Sequence, residues 1–347
     1  MSMIQASSNG PLGWKEIVAK YQKPSYWRGI WQVLNTYTPY CLLWYLMYRS
    51  MFVSLWLTVP LALVAGLVLL RIFIIFHDCG HGSFFKSRLG NHLVGSVCGL
   101  LCFTPYFQWR WEHSLHHASA GDLDRRGAGD VWTMTVQEFQ AASKWRQFGY
   151  RLVRNPFVLF VLAPFYLFFV MQRIPTASAT RFVRKSVHWT NLLLAGMVVG
   201  LSAVFGFKAY LVIQLTVMGV AGSVGVWLFY VQHQFEGVYW ARRTDWDYAS
   251  AALKGSSFYK LPKVLQWLSG NIGFHHIHHL SPRIPNYYLE KCHRAEPIFQ
   301  EVKAITLVAS FKSFTFRLWD EQQRQLVGYR ALRQSAVEPE PPQETRS

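Results

Sequence analysis

GNIGFHHIHHLSPRIP, residues 270–285, places four histidines within five consecutive positions. On a helix, His275, His278 and His279 lie at i, i+3 and i+4 and project from one face, where they can share a metal ion. His276 falls off that face and is predicted to be a hydrogen-bonding neighbour of the ligands rather than a ligand. The stretch predicts a metal site around which the rest of the chain is arranged.

Two earlier motifs repeat this spacing. HSLHH supplies His113, His116 and His117, and HDCGH supplies His77 and His81. Eight of the 13 histidines therefore fall in three boxes, whereas an isolated histidine is more often a hydrogen-bonded core residue. Imidazole binds zinc, copper, iron and nickel, so the spacing predicts metal binding without naming the metal.

The composition is that of an integral membrane protein. Hydrophobic residues make up 51% of the chain and charged residues only 15%, more apolar than an ordinary soluble domain. The net charge of +17 suits anionic lipid headgroups or an acidic partner. Nucleic acid is excluded as a partner because no binding motif accompanies the charge. Five cysteines without a CxxC pair indicate a reducing, cytosol-facing environment.

Apolar runs predict an all-α membrane protein with four transmembrane helices and interfacial helices. The first 34 residues are polar and basic, contain no cleaved signal peptide and form a cytosolic segment. The four spans are predicted at about residues 35–48, 51–76, 188–205 and 210–230. A single domain covers 35–334, and the Pro- and Glu-rich tail at 335–347 is predicted to be disordered.

Two further apolar runs do not meet the requirements of a span. Residues 93–107 are too short and contain glycine and proline, so they are predicted to lie at the interface. Residues 156–171 would, if they crossed, move the basic run at 173–185 away from the cytosol. The basic run therefore favours a helix or hairpin at residues 156–171 that dips into the membrane and returns. Both termini and all three boxes are then predicted to lie on the cytosolic side.

The last span ends in YVQHQFE, which adds His233 as a candidate ninth ligand at the same membrane edge. Nine imidazoles are too many for one ion and match two metals with four or five ligands each. Two-metal hydrolysis usually brings bridging carboxylates, and Asp78 and Glu112 lie off the ligand faces. Iron that activates dioxygen fits better, because oxidation of an unactivated methylene is beyond protein side chains alone.

Four segments resemble the membrane fatty acid desaturase family, in particular the bacterial acyl-lipid desaturases of the Bacillus delta-5 type. They are HDCGHGSFF, WRWEHSLHHASAGDLDRRGAGDVW, GVWLFYVQHQFE and LKGSSFYKLPKVLQWLSGNIGFHHIHHLSPRIPNYYLE. The similarity covers about residues 31–330. It implies a cytosolic helical cap that holds the histidines. It also implies two iron ions (Fe²⁺/Fe³⁺), O₂ and two electrons, which insert a cis double bond into a phospholipid-bound acyl chain. The implied ligands are His77, His81, His113, His116, His117, His233, His275, His278 and His279, with no catalytic residue beyond them.

The chain departs from the animal acyl-CoA desaturases at one position. Their asparagine four residues before the histidine of the last span, which contacts one iron through water, is Phe229 here. Asn271, four residues before His275, is expected to take the place of that asparagine. Asn271 and His276 are both expected to lie next to the ligands without binding the metal directly.

The chain also shows no haem-binding domain and no iron–sulfur cysteine spacing. The resemblance therefore implies a separate electron donor of the ferredoxin or flavodoxin type, in a bacterial cytoplasmic membrane. The basic face expected on the cytosolic side would suit such an acidic partner.

Several alternatives stay open from the sequence. Arg125 and Arg126 in DLDRRG are candidate contacts to the substrate headgroup, and a solvated charged loop is an equal interpretation. The double bond could be introduced at delta-5, or at delta-9 or delta-12 (omega-6), and acyl-CoA is an alternative to acyl-lipid. A related di-iron lipid hydroxylase is the second function. A non-enzymatic metal-binding transporter is disfavoured, because ligands at helix ends on one side do not mark a path across the bilayer.

Overall fold

The computed structural model describes residues 13–127 and 129–334. The first helices are α1 (Trp14–Ala19), α2 (Tyr26–Met51), α3 (Leu55–His81), α4 (Arg88–Leu101), α5 (Tyr106–Ser119), α6 (Val136–Ala141), α7 (Lys144–Val153), α8 (Ala163–Phe169), α9 (Arg181–Phe205) and α10 (Phe207–His233). They are followed by α11 (Tyr248–Lys254), α12 (Lys263–Leu268), α13 (His275–Leu280), α14 (Asn286–Ala295), α15 (Pro297–Gln300), α16 (Leu307–Ser310) and α17 (Ala331–Gln334). A π-helical turn at Val158–Leu162 precedes α8, and 3₁₀ turns lie at Met171–Arg173 and Phe311–Thr315.

The apolar core is built around α3, which packs against α2, α4 and α10. The Ser54 hydroxyl caps the first turn of α3, and Gly82 ends the helix in the left-handed conformation with φ +69°, which glycine adopts without a steric cost. The predicted span ends at residue 76, but the helix continues through His81. The first histidine box therefore continues the apolar helix.

Among the described residues, three helices are long and apolar enough to cross a membrane, namely α3, α9 and α10. A fourth candidate is the pair of α7 and Val158–Arg173, which is bent by 61°. The predicted span 35–48 lies inside α2, which is not apolar enough to count among these candidates. The membrane helices predicted near 51–76, 188–205 and 210–230 thus coincide with candidate spans. The count of four and the re-entrant path of 156–171 stay predictions.

Five short strands depart from the predicted all-α fold. The strands are β1 (Met134–Thr135), β2 (Phe258–Lys260), β3 (Ala304–Thr306), β4 (Leu318–Asp320) and β5 (Gln325–Val327). β4 pairs in parallel with β1 and antiparallel with β5, and β2 pairs in parallel with β3. Strands of two or three residues are too short to show an alternating apolar pattern, so sequence periodicity does not reveal them.

A helical cap covers the end of the bundle at which α3 and α10 finish. It has its own apolar core, which joins α1, α11, α13 and α14 through side chains such as Ile277, Leu289 and Phe299. The predicted disordered tail, 335–347, lies outside the described residues. The cap therefore places α13, with the third histidine box, directly against the ends of the long helices.

Candidate metal centre

Nine histidines form two neighbouring groups at the junction of bundle and cap. In each of two clusters, the candidate ligand atoms lie within 4.8 Å of one another. The five-histidine group contains His77, His81, His113, His117 and His278. The other cluster contains His116, His233 and His279, and His275 joins it because its Nε2 lies 3.0 Å from Nε2 of His233. We call this set the four-histidine group.

Each group draws on several helices. The end of α3 supplies two ligands to the five-histidine group, and the last residue of α10 supplies His233 to the other. Both α5 and α13 are divided between the groups, so that His278 and His279 point to different sites. The expectation that the third box shares one metal is therefore wrong, since consecutive helical residues diverge by about 100° and α13 lies between the two groups.

The imidazoles turn their Nε2 atoms toward one another. Nε2 of His117 lies 3.1 Å from Nε2 of His113 and 3.0 Å from that of His278. In the four-histidine group, Nε2 of His233 lies 3.2 Å from that of His116 and 3.0 Å from that of His275. Lone pairs of neutral imidazoles repel at such distances, and a shared cation relieves the repulsion.

The opposite ring nitrogens show where the protons reside. Nδ1 of His116 lies 2.6 Å from Asp130 Oδ1, and Nδ1 of His77 lies 3.2 Å from Asp78 Oδ1. Nδ1 of His233 donates to the carbonyl oxygen of Gly255 at 3.2 Å. These oxygens only accept hydrogen bonds, so the Nδ1 atoms carry the protons and the Nε2 lone pairs remain free for a metal.

Burial keeps the imidazoles in the neutral form that metal ligands require. Among ligands outside the membrane-spanning helices, burial and then neighbouring imidazoles hold the pKa values far below the usual range for His113, His117, His275, His278 and His279. A buried imidazolium would be poorly solvated and would repel its neighbours. The donor set of neutral imidazoles fits first-row transition metals such as iron.

The two groups differ in accessibility. His81 and His113 of the five-histidine group are partly exposed, whereas all four side chains of the other group are buried. The ring of Phe229 lies 5.2 Å, between centroids, from both His116 and His233. Phe229, which stands where the animal acyl-CoA desaturases have an asparagine, thus presents an apolar face to the four-histidine group.

Asn271 and His276 lie away from the ligand nitrogens. Asn271, at φ +59°, donates from Nδ2 to the carbonyl oxygen of Asn286 at 3.0 Å and accepts from Gln266. His276 is buried beside Phe258 and His293, where burial and then the charge of His293 lower its pKa to about 3. Asn271 is therefore connected to the histidines through Asn286, which in turn donates to Asp78.

Asp78 connects His77 to Asn286, a role that the sequence did not predict. Its Oδ2 accepts two hydrogen bonds from Asn286, at 2.6 Å from the backbone nitrogen and 2.8 Å from Nδ2. The carboxylate thereby ties His77 at the end of α3 to the start of α14, just after the third box. Asp130, the partner of His116, was also missed. Its loop, GDLDRRGAGD, contains several aspartates, and no pattern marks which one faces a histidine.

Arg125 and Arg126 are engaged inside the protein. Nε of Arg125 lies 2.5 Å from Asp122 Oδ2, and its guanidinium lies over the ring of Trp246. Arg126 forms an ion pair with Glu138 and donates to the carbonyl oxygen of Thr133 at 2.7 Å. These contacts favour the structural interpretation of the two arginines over a headgroup site.

Replacing Asp130 with asparagine is expected to weaken metal binding in the four-histidine group alone. The amide still accepts the Nδ1 hydrogen bond but lacks the charge that makes His116 a better donor, a loss of about 10- to 100-fold in affinity for such partners. Metal content measured during a chelator titration should show one ion leaving early. Asp245→Asn, at an exposed site, is the matched control, and coincident release of both ions would contradict the assignment.

Comparison with known proteins gives a consistent result. The profile of the family described as "Fatty acid desaturase" matches residues 54–306. A "Fatty acid desaturase" of Bacillus subtilis (strain 168) is 47% identical over 320 residues, which cover 92% of this chain and 91% of the relative.

Two cyanobacterial proteins of Synechocystis are more distant. The "sn-1 oleoyl-lipid 12-desaturase" is 29% identical, with 69% of this chain and 68% of the relative covered. The "sn-1 acyl-lipid omega-3 desaturase (ferredoxin)" is 27% identical, with 69% and 67% covered. All nine histidines lie within the matched residues 54–306.

Proposed function

Because the chain belongs to the fatty acid desaturase family, and is therefore an oxidoreductase that introduces double bonds into acyl chains, we propose that it does so with two iron ions. O₂ and two electrons would be consumed, and a cis double bond would form in a phospholipid-bound acyl chain. The observation that carries this proposal is the convergence of histidine ring nitrogens into two groups.

One iron would be held by the five-histidine group and the other by the four-histidine group. Neither group includes a carboxylate among the residues described, which distinguishes the site from carboxylate-bridged hydrolytic centres. When bound, iron supplies the oxidising power that an unactivated methylene requires. The protein's part is to hold the imidazoles, orient them and exclude water.

Orientation comes from groups behind the ligands. Asp78, Asp130 and the Gly255 carbonyl keep the protons of three histidines on Nδ1, so each Nε2 stays available to a metal. Water is excluded from the four-histidine group by burial and by the ring of Phe229. A dry site limits side reactions of a strong oxidant.

The three candidate spans support a membrane location, and we infer the bacterial cytoplasmic membrane with the histidines on the cytosolic side. An omega-3 relative is named as ferredoxin-dependent. That name and the net charge of +17 support an acidic ferredoxin or flavodoxin as the electron donor.

The resemblance to the Bacillus type favours the delta-5 position. The distant relatives are named as 12- and omega-3 desaturases, so the position of the new bond varies among relatives with the same fold. Delta-9 and delta-12 (omega-6) remain the alternative positions, and the position is to be read from the product.

A bacterial host that expresses the chain is expected to accumulate a new unsaturated fatty acid. Gas chromatography and mass spectrometry with double-bond localisation would identify the product and its position. A host that expresses His278→Ala is the control. A hydroxylated fatty acid would replace the proposal with the hydroxylase alternative. Purified protein with both ions bound and a reconstituted ferredoxin that forms no unsaturated product would overturn it.

A further inference from the structure

Arg110 is a cation without a partner beside the five-histidine group. It lies on α5, three residues before His113, and its side chain is only partly exposed. Its side chain makes no hydrogen bond or ion pair with any residue that the structure describes. A half-buried guanidinium usually has an acceptor, because its five N–H groups are costly to leave unmatched.

The position of Arg110 is defined by its neighbours. The ring of the preceding residue, Trp109, stacks on His113 with centroids 4.3 Å apart. On α5, Arg110 follows Tyr106 by four residues and precedes His113 by three, so the three side chains lie along one side of the helix. His81 and His113 are the two partly exposed members of their group, so Arg110 stands at the accessible side of the metal centre.

A second arginine, which forms no ion pair with the residues that the structure describes, lies close by. Arg88 precedes His92 by four residues on α4, and Arg110 follows Tyr106 by four residues on α5, so each arginine shares a helix face with that neighbour. Nδ1 of His92 lies 3.3 Å from the Tyr106 hydroxyl, and Tyr106 donates to the Cys79 carbonyl at 2.6 Å. Arg88 at the start of α4 and Arg110 on α5 are therefore held on one surface near the end of α3.

This surface has almost no negative charge. The helices α4 and α5 contain a single acidic residue, Glu112, whose carboxylate accepts a hydrogen bond from the Thr176 hydroxyl at 2.6 Å. The adjoining first turns of α9 add Arg181 and Arg184, also without ion pairs in the described structure. The surface can accept an anion with little competition from the protein's own carboxylates.

Apolar side chains surround the cations. Leu89, Leu93 and Phe182 are 65%, 59% and 62% exposed, and Phe182 joins α9 to α5 through Phe107, with ring centroids 4.9 Å apart. Cations beside exposed apolar groups match the boundary between phosphates and acyl chains in a lipid leaflet.

We propose that Arg110, together with Arg88, binds the phosphate of the glycerophospholipid whose acyl chain is desaturated. The inference rests on the proposed function and names the contact that Arg125 and Arg126 do not supply.

Lipid retention tests the contact without turnover. Purified protein in detergent is offered phosphatidylglycerol and diacylglycerol with the same acyl chains, and bound lipid is counted by native mass spectrometry. The unmodified protein is expected to prefer phosphatidylglycerol. Arg110→Gln should reduce that preference about tenfold, the effect of one lost charge-assisted hydrogen bond, and Arg110→Lys should restore part of it.

Arg243→Gln, which removes an exposed charge of the cap, is the matched control and should leave retention unchanged. Unchanged preference in both Arg110→Gln and the Arg88→Gln, Arg110→Gln double variant would overturn the proposal. Retention of an acyl-CoA, but not of phosphatidylglycerol, that depends on Arg110 would overturn it as well. A protein that retains lipid through Arg110 but forms no double bond would refute the proposed function alone.

Discussion

His278→Ala and His279→Ala are each expected to reduce the unsaturated product below detection while removing different metal ions. The two residues are adjacent on α13, but His278 belongs to the five-histidine group and His279 to the four-histidine group. Truncation removes one Nε2 donor and leaves its partners with converging lone pairs. Both ions are needed in the proposed reaction, so loss of either site stops turnover.

Iron content distinguishes the two variants. We expect His278→Ala to lose the ion of the five-histidine group and His279→Ala the other, so that each purified protein retains one of the two ions. Adding Asp130→Asn should then accelerate chelation in the His278→Ala background, where the four-histidine group remains, and have no effect in the His279→Ala background.

His188→Ala is the control, because His188 is exposed on α9 and lies outside both groups. It should retain product and both ions. Loss of both ions in His278→Ala and in His279→Ala, with intact folding, would show a single coupled site. Full activity in either variant would remove that histidine from the centre.

Asp78→Ala is expected to destabilise the protein and to release iron from the five-histidine group. The carboxylate is 1% exposed and accepts hydrogen bonds from His77 and from two nitrogens of Asn286. Each buried donor left without an acceptor costs about 1–3 kcal/mol, so the free energy of unfolding should fall by roughly 3 kcal/mol or more.

Thermal unfolding in detergent, followed with and without iron, measures this effect. Asp78→Asn is the matched variant, since its amide oxygen still accepts a hydrogen bond and its loss of stability should be smaller. An unchanged unfolding temperature together with full iron content in Asp78→Ala would show that the link between α3 and α14 contributes neither to stability nor to iron binding.

The family could be identified from the sequence, and the comparisons confirm it. Boxes such as HDCGH and HSLHH are local patterns, and their i, i+3 and i+4 spacing is visible without a fold. Three of the long apolar runs likewise become α3, α9 and α10, because burial in lipid depends on continuous composition. Local sequence thus determined the chemistry of the ligands and the main helices.

The division of the ligands was decided by tertiary structure alone. His113 and His116 lie in one box but in different groups, because the direction of each side chain depends on how α3, α5, α10 and α13 cross. Sequence spacing defines a face of one helix and carries no information about the angle between two helices.

The surroundings of the metals were also decided by the fold. Asp78 and Asp130 look like any aspartate in the sequence, and only their distances to His77 and His116 show their roles. Arg125 forms an ion pair with Asp122, whereas Arg110 forms none with the residues that the structure describes. The sequence alone does not distinguish these two arginines. The sequence by itself identified the candidate metal ligands of this desaturase and its candidate membrane spans. Tertiary structure decided which residues meet, because hydrogen bonds and charge pairs form between segments far apart in the chain.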